Sequence, residues 1–103
     1  MNQQPGEAFL SSLDRALERF GTSVRVVVYY ELSKSFAVAR EDIPKKPQLF
    51  EATINKLFGA GAATVRLFIL KELEASSGVD GLCKQDFVTA MRTAYHKQLE
   101  KMI

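Results

Sequence analysis

The sequence predicts an all-α fold, a compact single-domain bundle of about five helices. Three observations support this prediction. Apolar residues recur at steps of three and four, the spacing of one helix face, in five separate segments. Two of these segments form a glycine-hinged αα-hairpin over residues 47–76. The 103 residues are enough for one domain, residues 1–103, with one core.

The first predicted helix covers residues 7–20. Its apolar positions follow one stripe, formed by Phe9, Leu10, Leu13, Ala16, Leu17 and Phe20. Gly21 is expected to end the helix, because glycine readily adopts the left-handed conformation common after a helix C-terminus. Thr22 or Ser23 then supplies the cap of the next helix.

The second segment, residues 24–36, carries conflicting signals. Its valines and the pair Tyr29 and Tyr30 favour a β-strand by propensity. A single strand has no hydrogen-bonding partner, however, and the sequence shows no second strand. Helical spacing holds for Val24, Val27, Val28, Leu32 and Phe36. We therefore predict a helix, and because it is apolar on most sides we expect it to be the central, most buried one.

Prolines separate the second helix from the third. Pro44 and Pro47 exclude a continuous helix through residues 37–46, so this stretch is predicted to be a connector. Ile43 is expected to reach from it into the core. Pro47 suits the first turn of a third helix, residues 47–58. The stripe of that helix consists of Phe50, Ile54, Leu57 and Phe58.

The last two helices follow a glycine hinge. Gly59 and Gly61 allow the chain to reverse into a fourth helix, residues 62–76. Its apolar positions are Val65, Phe68, Ile69, Leu70 and Leu73. A loop over residues 76–81 precedes a fifth helix, residues 84–103. The stripe of this helix consists of Phe87, Val88, Met91, Ala94, Tyr95, Leu99 and Met102.

Residues 10–74 resemble a known family. The resemblance is carried, in order, by a helix ending in glycine, the pair Tyr29-Tyr30, the turn Glu41-Asp42-Ile43-Pro44, the early Phe50 and the hinge Phe58-Gly59-Ala60-Gly61. Together these features resemble the nitrososphaera output domain, a small archaeal family. The resemblance implies a helical output part of signalling or regulatory proteins, and it brings no catalytic residues. Residues 84–103 form a helix beyond the family pattern.

Motif content favours a non-enzymatic protein. Cys83 is the only cysteine and His96 the only histidine, so an internal disulfide or a metal site lacks partners. The glycine pair lacks the further residues of a nucleotide-binding loop. We predict no cofactor and no metal. The absence of a leader, of a long apolar run and of disulfides favours a cytoplasmic protein without a membrane contact.

These observations predict a protein-interaction or regulatory module that acts through a helical surface. Its partner is another protein or a second copy in a homodimer. The candidate contacts are Tyr29, Tyr30, Tyr95 and Met102. Because adjacent helical residues point about 100° apart, one of the two neighbouring tyrosines should be buried and the other exposed. The fifth helix either closes the core or pairs with its copy across a two-fold axis.

A nucleic-acid-binding protein is the alternative. The Gly59-Ala60-Gly61 turn is similar to the helix-hairpin-helix module, whose backbone N–H groups face a phosphate. Residues 84–103 carry four basic and two acidic side chains, which accounts for the net charge of +2, because residues 1–83 carry ten of each sign. The candidate contacts of this alternative are Gly59, Gly61, Arg66, Lys84, Arg92, Lys97 and Lys101.

Overall fold

The computed structural model describes residues 6–100, which contain five α-helices and no β-strand. The helices are α1 (Glu7–Glu18), α2 (Thr22–Phe36), α3 (Pro47–Phe58), α4 (Ala62–Ser77) and α5 (Phe87–Glu100). Short 3₁₀ turns occupy Arg40–Lys45, Gly59–Gly61 and Leu82–Lys84. The all-α prediction is confirmed, and so is the helical assignment of the second segment. None of the helices within these residues is long and apolar enough to cross a membrane.

Helices α1 and α4 form the centre of the bundle and lie antiparallel. The hydroxyl of Ser12 donates to that of Ser76, 2.7 Å away, near the C-terminal end of α4. At the other end, the ring of Phe20 meets that of Phe68 edge-on, with centroids 5.4 Å apart. The glycine hinge, which directly precedes α4, therefore lies at the C-terminal end of α1.

Helix α5 closes the core at the opposite end. The Phe87 ring stacks on that of Phe50 in α3, with centroids 6.2 Å apart. The Gln98 side chain is buried and donates to the Ser76 hydroxyl at 3.0 Å. The rest of the buried stripe consists of Ala90, Met91 and Ala94. The last helix was predicted either to close the core or to pair with a second copy. Its described part, Phe87–Glu100, closes the core.

The expectation that α2 is the most buried helix was wrong. Only Val28 and Leu32 of its fifteen residues are buried. Val26, Val27 and Tyr30 are 58%, 50% and 64% exposed. The reason is that the centre of the bundle is already filled where α1 and α4 pair, so α2 packs mainly on α1 and α3 at the side. A helix that is apolar all round does not reveal which of its faces the rest of the chain covers.

Several boundaries differ from the sequence prediction. Helix α5 begins at Phe87 rather than at residue 84, because Leu82–Lys84 forms a separate 3₁₀ turn. The carboxylate of Asp86 accepts a hydrogen bond from the N–H of Thr89 at 3.0 Å, as an N-cap does. Hydrogen bonding with the side chain of Thr89, and to a lesser extent with its backbone N–H, lowers the pKa of Asp86 below its ordinary value. The connector contains a 3₁₀ turn, and its Ile43 is fully buried as expected.

The hinge requires glycine at one of its two positions. Gly59 has φ 51° and ψ −120°, a region that only glycine adopts readily, whereas Gly61 has φ −84° and ψ −5°. A Cβ atom would meet nothing within 4 Å at either residue. We expect Gly59→Ala to lower the free energy of unfolding by about 1–2 kcal/mol. Gly61→Ala should be neutral or stabilising by about 0.5 kcal/mol. Urea unfolding measures both, and equal effects would contradict the hinge geometry.

Candidate protein-interaction surface

The outward face of α2 is apolar where Val26, Val27 and Tyr30 lie, before the exposed polar residues at its C-terminal end. Val28 and Leu32, one turn apart, face the core and fix the orientation of the helix. Val26, Val27 and Tyr30 consequently point away from it and are at least half exposed. The ammonium group of Lys34 lies over the Tyr30 ring, 5.9 Å from its centroid, and forms a cation–π contact.

A recess separates α2 from α3 beside this face. It has a volume of about 200 Å³ and is mainly apolar. Its lining consists of Ser23, Val24, Val27, Val28, Leu57 and Phe58. Val27 belongs both to the recess and to the outward face, so the two form one surface. An apolar recess between two helices is a common site for the side chains of a partner helix.

Three phenylalanines extend the recess toward the hinge end of the bundle. Phe58, which lines the recess, has its ring centroid 6.4 Å from that of Phe20. Phe20 in turn contacts Phe68, which is exposed although the sequence pattern placed it in the buried stripe of α4. We call the combination of the α2 face, the recess and these three rings the apolar surface. Contiguous exposed apolar patches on monomers commonly mark interaction sites.

Two ion pairs beside the apolar surface expose their cations and shield their carboxylates, whereas in the neighbouring pair Arg25–Glu18 both side chains are about equally exposed. Lys56 is 59% exposed and pairs at 2.5 Å with Glu31, which is 15% exposed. Arg19 is 63% exposed and pairs at 3.4 Å with Glu72, which is 14% exposed. Lys71, one turn beyond Phe68, is exposed as well. The hydrogen bond from Lys56 also lowers the pKa of Glu31, which keeps that carboxylate ionised and paired. The rim is therefore electropositive.

Tyr29 points away from this surface and belongs to a structural network. Its hydroxyl donates to Asp14 at 2.6 Å. Arg40 donates to the other oxygen of the same carboxylate at 2.7 Å and to Glu7 at 3.2 Å. Burial and the bond to Asp14 raise the pKa of Tyr29 well above its ordinary value. The hydrogen bond from Arg40 to Asp14 raises the pKa of Arg40, so the guanidinium remains charged. Of the tyrosine pair, only Tyr30 is placed to meet a partner.

The remaining predicted contacts lie elsewhere. The ring of Tyr95 packs edge-on against Phe9, 5.4 Å between centroids, at the end remote from the hinge. It lines an open cavity of about 610 Å³ together with Arg40, Glu41, Asp42 and Lys45, in which both signs of charge alternate. No group of three acidic, histidine or cysteine side chains within residues 6–100 is arranged to hold a metal. Met102 lies outside the described residues.

Cys83 is exposed but poorly suited to nucleophilic chemistry. Partial desolvation and the nearby Glu74 carboxylate raise the pKa of its thiol. A reactive cysteine requires the opposite shift, since the thiolate is the nucleophile.

The structure does not bring the predicted nucleic-acid contacts together. Gly59 and Gly61 lie at the start of α4, and the nearby Arg66 is bound by Asn55 and Glu51. Lys84 lies instead beside the other end of α4, because Glu74 accepts hydrogen bonds from the N–H groups of the two preceding residues, Leu82 and Cys83. Lys97 adjoins Gln98, which binds Ser76 at that same end. The sixteen residues of α4 separate the two groups by about 24 Å. Lys101 lies outside the described residues, and Arg92 is exposed on α5.

Comparison with protein-family models, curated proteins and solved structures finds no match for this chain. The candidate surface is therefore supported by its geometry alone. Tyr30 was among the contacts predicted from the sequence, whereas Val26, Val27 and Phe68 were not. The run Val26-Val27-Val28 carried the missing signal, because three consecutive valines on a helix cannot all face one core.

The tyrosine pair offers a prediction on alkaline stability. The folded protein holds the proton of Tyr29 more tightly than the unfolded chain, in which tyrosine titrates near 10.0. Its stabilisation is therefore complete below pH 10 and decreases as the pH rises further. Tyr29→Phe should lower the free energy of unfolding by about 1–2 kcal/mol at neutral pH and weaken this alkaline decrease. Urea titrations across pH measure both effects, with Tyr30→Phe as the unaffected control. Equal behaviour of the two variants would contradict the assignment.

Proposed function

We propose that this protein is a non-enzymatic protein-interaction module with a regulatory, output-like role, and that it acts through the apolar surface. The observation that carries the proposal is the orientation of α2. This helix is apolar on nearly all sides, yet the rest of the chain covers only the side of Val28 and Leu32. Covering the exposed half of a valine side chain contributes about 1 kcal/mol, so the uncovered face favours association.

Two further points support a regulatory role in the cytoplasm. The resemblance of residues 10–74 to the nitrososphaera output domain agrees with a domain that transmits a signal by contact. The unpaired Cys83 agrees with a reducing compartment. The partner in this proposal is a protein chain, either a second copy or a different protein. The nucleic-acid alternative gains no comparable support, because its two halves lie at opposite ends of α4.

Site-specific photo-crosslinking in the cells of origin tests this proposal. A photoreactive amino acid replaces Val26 on the apolar surface or, as a matched control, the exposed Ala75 on α4. We expect discrete protein adducts from position 26 and none from position 75. The adducts should disappear when Val27→Asp is added, because a carboxylate in the recess opposes apolar contact. Adducts that are absent from position 26, or equal at both positions, would contradict the proposal.

A further inference from the structure

We infer that the partner presents an acidic amphipathic helix, which binds in the recess between α2 and α3 and along the apolar surface. This inference rests on the proposed function and specifies the chemistry of the partner. A helix places apolar side chains at steps of three and four, so that one face can enter an apolar groove while the other stays in water. The recess offers such a groove, and the α2 face and the phenylalanine rings continue it on both sides.

The positive charges of the rim indicate that the polar face of the partner helix is acidic. Lys34 lies one turn beyond Tyr30, and Lys71 lies one turn beyond Phe68, so cations stand beyond both ends of the apolar surface. Lys56 and Arg19 expose their charged ends while their carboxylate partners are shielded. Glutamates and aspartates flanking the apolar stripe of a bound helix would face these cations and steer the encounter.

The same charges argue against a second copy of the chain as the occupant. A two-fold pairing of the apolar surface brings its cationic rim close to the identical rim of the copy, which is unfavourable. A lipid bilayer is less suited than a helix, because a flat surface leaves the recess unfilled.

Two synthetic helices test the inference. Both have about 18 residues, which form five helical turns, and both carry leucines at the same positions. The polar face consists of glutamates in one helix and of lysines in the other. Fluorescence anisotropy with the full-length chain measures their binding. We expect the acidic helix to bind with a dissociation constant of about 10 µM and at least about tenfold more tightly than the basic helix. This preference should decrease as salt is added.

Three variants locate the binding. Val27→Asp should raise the dissociation constant of the acidic helix at least about thirtyfold, because it places a carboxylate in the apolar contact. The double variant K34E/K71E should weaken binding of the acidic helix about tenfold, since it reverses two rim charges; among the described residues it removes, besides the charges, only the contact of Lys34 with the Tyr30 ring. K45E/K46E makes the same charge change on two exposed lysines at the end of the Arg40–Lys45 turn, where Lys45 lines the cavity beside Tyr95, and should change the binding of the acidic helix by no more than about twofold. Circular dichroism confirms that each variant is folded.

Several results would overturn the inference. These are equal binding of the two helices, no binding of either at about 1 mM, or equal effects of the two double variants. Val27-dependent binding of anionic phospholipid vesicles, with no preference for the acidic helix, would assign the surface to a membrane. A dimeric mass by light scattering that Val27→Asp returns to 11.5 kDa would assign it to a second copy. In that case the proposed interaction role stands and only the acidic helix is rejected.

Discussion

Phe50→Ala is expected to lower the free energy of unfolding by about 3–5 kcal/mol. The Phe50 side chain is fully buried, and its ring stacks on that of Phe87 with an interplanar angle of 13°. Truncation removes the apolar contact that joins α3 to α5 and leaves a cavity that the surrounding helices fill only in part. Urea unfolding followed by circular dichroism measures the change.

Phe36→Ala is the matched control for this truncation. Phe36 lies at the C-terminal end of α2 and keeps 37% of its surface exposed, so its truncation should lower the free energy of unfolding by only about 1–2 kcal/mol. A similar small loss for Phe50→Ala would show that α5 does not close the core. The total stability of a domain of this size is about 5–15 kcal/mol, so the expected loss is a large part of it.

Asp14→Ala is expected to lower the free energy of unfolding by about 2–3 kcal/mol. The Asp14 carboxylate accepts hydrogen bonds from the Tyr29 hydroxyl and from Arg40, and thereby connects α1 with α2 and with the Arg40–Lys45 turn. Without it, the phenol loses its acceptor and the half-buried guanidinium retains only Glu7. Leaving polar groups unpaired in a partly buried position is the dominant part of this loss. Thermal and urea unfolding at neutral pH measure it.

Glu18→Ala provides the comparison for Asp14→Ala. Glu18 also belongs to α1 and pairs with an arginine, Arg25, at 2.8 Å, but both side chains are more than one-third exposed. Exposed ion pairs contribute little, so the expected change is about 0.5 kcal/mol or less. Equal losses from the two substitutions would mean that the Tyr29 network does not hold α2 in place.

The fold was predictable from the sequence because a short-range pattern predicts each helix. The stripe of α1 and the proline at the start of α3 are short-range signals, and both gave helices where expected. The orientation of α2 was not predictable in this way. Its valines surround the helix, so periodicity cannot tell which side meets α1 and α3. Which side of α2 is buried depends on the long-range packing of α1 on α4, and a local sequence pattern carries no information about that packing.

The candidate surface was predictable only in part. Tyr30 was among the predicted contacts and is exposed, whereas Tyr29 and Tyr95 are half-buried in contacts within the chain. The recess between α2 and α3 combines Val24 and Val27 with Leu57 and Phe58, which are about thirty residues apart in the sequence. Such a juxtaposition follows from the tertiary structure alone. The asymmetric exposure of the rim ion pairs is likewise visible only once the helices are packed.

The proposed interaction surface requires that the rest of the chain leaves one face of α2 uncovered. Three consecutive valines allow a direct test by NMR with a soluble paramagnetic agent, which broadens the signals of exposed methyl groups. We expect strong broadening for Val26 and Val27 and little for the fully buried Val28 in the dilute, isolated protein. Equal protection of all three valines would contradict it, because the face assigned to a partner would then already be covered.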